Sequence, residues 1–303
     1  MHTDIDRYLN GEKVMKYPLI AAVSGVALLG TLPASAQAKD WRLVPNIGFQ
    51  YRNLSFDETL TFPNGEKQKG DLDVNLPMAS LGLTFIYSRF YAALKYEDSF
   101  ETYTDSDVPG TEFAETGDKV DTAVTRTDWS FTVGGTVWRT LNVFAGYLNG
   151  ETELSPTPAF RDCLNCTDNY DANFAWFMDN TARRTYRQTY REDGWYLGLS
   201  YGWSIAQKGT LALSGAYAFM DGRYEDNYFP EDNLDFDYEG DSQGYSLALT
   251  WSAPLTEHLG YYFDLRRQAY DFDGKDKSGN YSGYKVKTTE VMNNITAGVR
   301  WFI

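Results

Sequence analysis

The chain has 303 residues, room for one barrel or two ordinary domains, and a formal charge of −15, which excludes a binder of nucleic-acid phosphates because that work needs clustered Lys and Arg. Aromatic residues make up 16% of the chain, with 23 Tyr, 18 Phe and 8 Trp, well above an ordinary soluble domain. So acidic an exterior suits divalent cations or plain solubility through repulsion.

Residues 1–14 are polar and precede a second Met; they read as an upstream leader or a mis-assigned start. From Met15 the chain runs through Lys16, an apolar stretch from about Leu19 to Leu32, and Ala36-Gln37-Ala38. A short basic start, an apolar run and small residues at the two cleavage positions make residues 15–38 a signal peptide cut after Ala38. The run is too short and too rich in small residues for a membrane anchor. Residues 39–303 are then the mature part. Asp4, Asp6 and Glu12 cancel Arg7, Lys13 and Lys16, so the mature part carries the whole −15. After Lys39 no stretch of 18 apolar residues occurs, so no helix is expected to cross a membrane.

Beyond Lys39 the chain is a series of segments in which apolar and polar residues alternate. The first, Trp41 to Asn53, puts Trp41, Leu43, Ile47, Phe49 and Tyr51 on one face and Arg42, Asn46, Gln50 and Arg52 on the other. Period two is strand geometry. The second runs from about Leu72 to Tyr87, with an irregularity expected at Pro77. The third spans Phe90 to about Glu101, the fourth Val124 to Trp138, the fifth Leu141 to Glu151 and the sixth about Arg191 to Trp203. The seventh covers Thr210 to Tyr224, the eighth Gly244 to Trp251, the ninth Leu259 to Tyr270 and the tenth Thr288 to Ile303. Connections near Ser88, Arg139, Gln207 and Pro254 are short; those at about 56–71, 102–123, 152–190, 225–243 and 271–287 are long, polar and acidic. Ten strands with short and long connections in alternation predict an all-β fold: a closed antiparallel up-and-down transmembrane β-barrel, greasy outside and polar inside. A soluble β-sandwich explains neither the polar inner face nor the alternation of loops.

The expected location is the outer membrane of a Gram-negative bacterium, with both termini and the short turns in the periplasm. Tyr87, Trp138, Tyr201, Trp203, Trp251, Tyr261 and Trp301 would form the aromatic girdle on that side. The ending Val299-Arg300-Trp301-Phe302-Ile303 resembles the signal that outer-membrane proteins offer to the barrel-assembly machinery, an expected partner during biogenesis. In strand count the chain resembles the omptin proteases. Omptins place an Asp–His pair at the outer end of the seventh strand; here that stretch holds Asp221, Glu225 and Asp226 but no His. The mature chain's one His, His258, falls in a short turn at the opposite end, so the base that activates water is missing.

Several groups are candidate sites. On the inner face stand Arg42, Arg52, Lys95, Glu97, Arg126, Asp128, Asp264, Arg266, Glu290 and Arg300. Buried charges must pair, so the expectation is a salt-bridged plug, with a narrow polar channel as the alternative. Arg126 and Arg266 should each meet a carboxylate among Glu97, Asp128, Asp264 and Glu290. Cys163 and Cys166 form a candidate disulfide stapling a loop; no second CxxC or HxxxH exists to complete a zinc site. Trp176, Arg183, Arg184 and Arg187 in the same long loop are candidate binding residues, since Trp and Arg dominate binding hot spots. Their partners would be lipopolysaccharide phosphates, an extracellular protein or a phage; outer-membrane lipid surrounds the wall, and no nucleic acid is expected. No cofactor is expected, although the acidic loop Asp226 to Asp241 and the segment Asp271 to Asp276 admit Ca2+ through oxygen ligands.

The function these features favour is a non-enzymatic outer-membrane barrel with long acidic loops for surface binding. The alternatives are a narrow porin-like channel and, third, an omptin-like or lipid-modifying hydrolase without the usual His.

Overall fold

In the computed structural model, the described residues are 41–106, 120–156, 187–205, 208–227, 236–277 and 283–303. They form β1 (Trp41–Thr61), β2 (Lys67–Tyr87), β3 (Phe90–Ser99), β4 (Thr102–Ser106), β5 (Val120–Trp138), β6 (Leu141–Pro156), β7 (Arg187–Ile205), β8 (Gly209–Asn227), β9 (Phe236–Pro254), β10 (Leu259–Asp276) and β11 (Lys285–Trp301). Apart from β3 and β4, strands that follow one another in sequence pair antiparallel. β3 and β4 both lie along β5 and make one stave, and β1 closes the ring on β11. The result is the closed ten-stave antiparallel barrel that the alternation predicts.

Both ends of the chain's barrel lie at the end of the short turns. Trp41 stands opposite Tyr87. Ile303 and Leu43 exchange backbone hydrogen bonds at 3.0 and 3.2 Å, so the last residue is tied into the seam. Two of the short turns hold Ser88 and Arg139 at positive φ, the conformation that two-residue hairpins favour.

The strands are longer than the alternation indicates. β1 continues to Thr61 and β2 begins at Lys67, so the connection expected over 56–71 shrinks to 62–66. The other long connections lose residues to strand in the same way. The reason is an inversion of amphipathicity along each stave. Near the short turns, β1 turns Ile47, Phe49 and Tyr51 outward and Asn46 and Gln50 inward. Beyond Arg52 the same parity carries Leu54 and Phe56 inward and Asn53, Ser55 and Asp57 outward. β2 repeats this, with Leu72, Val74, Leu76 and Met78 buried before Leu81, Leu83 and Phe85 turn outward. One half of the wall therefore suits lipid outside, and the other half suits water outside.

The lipid-facing half has an aromatic ring at each edge. Tyr87, Trp138, Trp203 and Trp301 stand exposed near the short turns, and Tyr96, Trp129, Trp195 and Tyr245 near the seam with the other half. From Trp129 to Trp138 the strand climbs on the order of 23 Å at barrel tilt, the height of an outer-membrane apolar band. The water-facing half projects about 20 Å further by the same geometry.

Pro77 stays in β2, opposite Tyr51, with no shift of register toward β1. The expected irregularity falls on the neighbouring stave instead. Pro77 has no N–H to give, the β2–β3 ladder ends at Met78 and Ser99, and the stave breaks before resuming at Thr102; Phe100 N donates to Pro77 O at 2.9 Å.

Inside the lipid-facing half, aromatic rings lie across glycines of adjacent strands. Tyr196 crosses Gly146 and Tyr262 crosses Gly298, positions where a Cβ would collide with the ring. Tyr91, Phe144, Tyr196 and Tyr262 are all buried there. The lumen is thus filled with side chains.

Candidate functional site

At the seam between the two halves, β1, β3, β5 and β11 bring a set of charged side chains into the lumen. The outward residues on these strands are the last of the greasy band, so the even positions that face inward here sit between polar wall below and apolar packing above. Arg52 and Arg126 organise the set. Arg52 Nη1 meets Asp128 Oδ2 at 2.5 Å, its Nε donates to Asn294 Oδ1 at 2.9 Å, and its Nη2 lies 3.7 Å from Glu97 Oε2. Arg126 Nε donates to Asp128 Oδ1 at 3.0 Å, and its Nη1 donates to Thr152 Oγ1 at 2.7 Å and to Glu290 Oε1. Lys95 Nζ completes the set at 2.7 Å from Glu97 Oε1. Every member is buried.

A second, smaller pair lies deeper in the lipid-facing half. Arg266 Nη2 is 3.2 Å from Asp264 Oδ2, and Thr250 donates to Asp264 Oδ1 at 2.5 Å. Arg126 and Arg266 therefore each have a carboxylate from the set expected from the sequence, and both guanidinium groups face the lumen. Arg300 is buried against the Tyr262 ring, 5.3 Å from its centroid, and Arg42 is half-buried near the short turns. Neither joins the central network.

Glu192 on β7 belongs to the site although it was not among the candidates offered by the sequence. It is buried in the projecting half, above the band edge at Trp195, and accepts hydrogen bonds from Tyr190 and from Ser242 Oγ at 2.5 Å. Burial, and then the charge of Glu290, push its carboxyl up to about 7. The continuing inward parity of β7 is the signal that could have found it, since Glu192 lies two residues before the inward-facing Gly194.

Removing one partner of a buried pair leaves an uncompensated charge and costs about 3–5 kcal/mol. Beside the network, a cavity of about 40 Å3 lies between Arg52, Arg126, Asp128 and Arg266 on one side and the small residues Ala216 and Ala218 of β8 on the other. That is roughly the space of two or three waters. Toward the loop end the lumen holds the buried Leu54, Phe56, Leu76, Tyr190, Met292 and Phe272, with Phe56 and Phe272 set edge-on against Tyr190.

The remaining sequence candidates fall on the projecting half or beyond the described residues. Cys163, Cys166, Trp176, Arg183 and Arg184 lie outside the described residues. Arg187 is exposed on β7, and its Nε lies 3.0 Å from Glu153 Oε1. The acidic stretch from Asp226 to Asp241 is strand at both ends, where a loop was expected. Two of its carboxylates there have cation partners: Asp237 meets Arg223 at 2.9 Å, and Glu239 meets Lys277. In the Asp271–Asp276 segment, also strand, Asp273 meets Lys287 at 2.7 Å. Among the described residues no group of three or more His, Cys, Asp or Glu is arranged to hold a metal ion.

No protein-family model matches the chain, and no curated protein matches it. Solved structures do. The outer membrane protease OmpT from Escherichia coli aligns with a TM-score of 0.57 at 11% identity, covering 88% of this chain and 99% of that one. The translocator domain of the autotransporter NalP from Neisseria meningitidis aligns at 0.37 with 9% identity, over 84% and 88% of the two chains. The toluene transporter TodX from Pseudomonas putida aligns at 0.29 with 10% identity, over 85% and 89%. The chain thus has the fold of an outer-membrane β-barrel of the kind the omptin resemblance implies. At 11% identity the likeness extends to fold alone, since one barrel architecture carries many activities.

Proposed function

We propose that the chain is a non-enzymatic outer-membrane barrel whose lumen is structural and whose function lies on its projecting wall and outer loops, as a surface for binding. One observation carries this reading: the ion-pair network at the seam lies beneath a layer of buried apolar side chains that includes Leu54, Phe56 and Phe272. A conducting pore keeps a wet path along its length. Here the room beside the network is about 40 Å3. Two carboxylates of the network, Glu97 and Asp128, are engaged by Arg52, Arg126 and Lys95. The described His, His258, is in the turn at the other end.

In this reading the short turns and both termini face the periplasm, and the projecting half stands outside the cell. Residues 15–38 direct export and are removed. The binding loops are those after β6 and β8, with Trp176, Arg183, Arg184 and Arg187 as the cationic and aromatic elements of an otherwise acidic surface. Phosphate groups of lipopolysaccharide, an extracellular protein or a phage are the classes of partner that such residues recognise.

Conductance of the protein, purified from outer membranes and placed in a planar bilayer, tests the sealed lumen. A correctly folded, heat-modifiable sample is expected to stay silent. Discrete, reproducible current steps would replace this reading with the narrow channel.

A further inference from the structure

On the outer face of the barrel, a groove of about 470 Å3 lies at the seam between the lipid-facing and projecting halves. Leu213 of β8, Leu247 and Leu249 of β9, Leu265 of β10 and Ile295 of β11 line it, and all are exposed. Its loop-side edge is a lateral row in register: Gly215, Leu247, Arg267, Asn293, Asn53. Gly215 offers no side chain, and a Cβ there would meet nothing nearer than 3.8 Å, so the row is open at that end. Arg267 stands in the middle of the row, directly above Leu265 on the same face.

The charge around Arg267 is unusual for so acidic a chain. The other outward cations of the projecting half include Arg191, Arg223 and Lys287, each with a carboxylate: Glu151 at 2.5 Å, Asp237 at 2.9 Å and Asp273 at 2.7 Å. Arg267 has Leu247 and Asn293 beside it, Leu265 below and Ala269 above. Its Nη1 donates to Asn293 Oδ1 at 2.8 Å, and among the described residues it has no ion pair. A guanidinium held at the level where lipid headgroups begin, with a free side to its fork, matches phosphate oxygens in geometry and charge. The aliphatic residues below it match a hydrocarbon chain.

We infer that this groove is a lipid site: it holds an acyl chain of a phosphate-bearing membrane lipid, with the phosphate on Arg267. The inference rests on the reading of the chain as an outer-membrane barrel and gives that reading a defined lipid contact. The lipid's own phosphate supplies the negative charge that the protein withholds from Arg267. The surrounding carboxylates, beginning with Asp271 further up β10, repel anions elsewhere on the wall and so focus them here.

Native mass spectrometry of the full-length protein, purified from membranes and exchanged into mild detergent, tests the site. The probes are phosphatidic acid and diacylglycerol with identical chains, which differ only in the phosphate. The wild type should retain phosphatidic acid about tenfold more than diacylglycerol, and Arg267→Gln should remove that preference. Arg267→Lys keeps the charge without the fork and should give an intermediate result, and it serves if Arg267→Gln does not fold. Arg191→Gln, a cation away from the groove, should leave retention unchanged. Equal retention of the two lipids, or loss with Arg191→Gln as large as with Arg267→Gln, would overturn the site. Recovery in the outer-membrane fraction and heat-modifiable migration of the same samples report on the barrel reading separately, so a folded barrel without phosphate preference sinks the groove alone.

Discussion

Glu192 is the residue whose chemistry depends most on its surroundings. It is buried in the projecting half with the carboxylate of Glu290 acting on it, and its carboxyl is pushed up to about 7. An acid whose folded value lies above its unfolded value binds its proton more tightly in the folded state. The stability it supports is therefore fully present below the unfolded value, near 4.5, and is lost as pH rises through about 7. Glu192→Gln keeps an oxygen to accept from Tyr190 and Ser242 and carries no charge. The variant should match the parent in urea unfolding at pH 4 and exceed it at pH 8, by about 2–3 kcal/mol at most. A parent that gained stability between pH 5 and pH 8 relative to the variant would show that Glu192 is ionised and held by Arg126 instead. The neighbouring Arg52 and Arg126 make the opposite case at the same scale: each already bridges two or more acceptors, so the network tolerates neither truncation nor an extra negative charge.

Between strands, the outward face of the projecting half holds a row of like charges. Asp193 of β7, Asp221 of β8 and Asp241 of β9 stand directly opposite one another in register. Cβ atoms in such pairs lie roughly 5 Å apart, and like charges directly opposite are destabilising. Tyr147 donates to Asp193 and relieves one end; the middle position, Asp221, has an aspartate on each side. Asp221→Asn should therefore raise stability by about 0.5 kcal/mol in dilute buffer, and the gain should vanish near 1 M salt, where the Debye length is about 3 Å. A gain that persists in high salt would mean packing rather than charge. These aspartates also show what the sequence could and could not yield at the level of elements. The lower wall was legible because its greasy parity is constant over eight or so residues of each strand, and the charges Lys95, Arg126, Asp128 and Glu290 fell on the inner face by simple counting. The upper wall was only partly so, because Leu54 and Phe56 keep the inward parity while changing from polar to apolar, so a template of greasy-out alternation stops the first strand at Asn53 and reads Phe56 as loop. Glu192 was missed although it stands on the inward parity of the sixth segment, next to its first residue, Arg191.

For the whole molecule, the division of labour is set by where cohesion resides. The ring is closed by the β1–β11 ladder, and the lumen is packed from the Tyr262 layer up to Tyr190 and Phe272. β6 and β7 remain paired as far as Leu154 and Gln188, and Arg187 still meets Glu153 on the outer surface. Residues 157–186 therefore join two strand ends that the barrel itself already holds together. Replacing them with a four-residue turn between Pro156 and Arg187 removes Cys163, Cys166, Trp176, Arg183 and Arg184 at once. It also shortens the loop whose ends must be closed, a change worth about 2 kcal/mol in favour of folding by loop-closure entropy. The expected outcome is a barrel that still shows heat-modifiable migration and unfolds at the same or slightly higher urea concentration than the parent. That result places residues 157–186 outside the structure that makes the barrel stable, where a binding surface can vary without cost to the fold. A variant that no longer forms the heat-modifiable species would mean that this segment packs into the barrel, and the search for function would move from the loops back to the lumen.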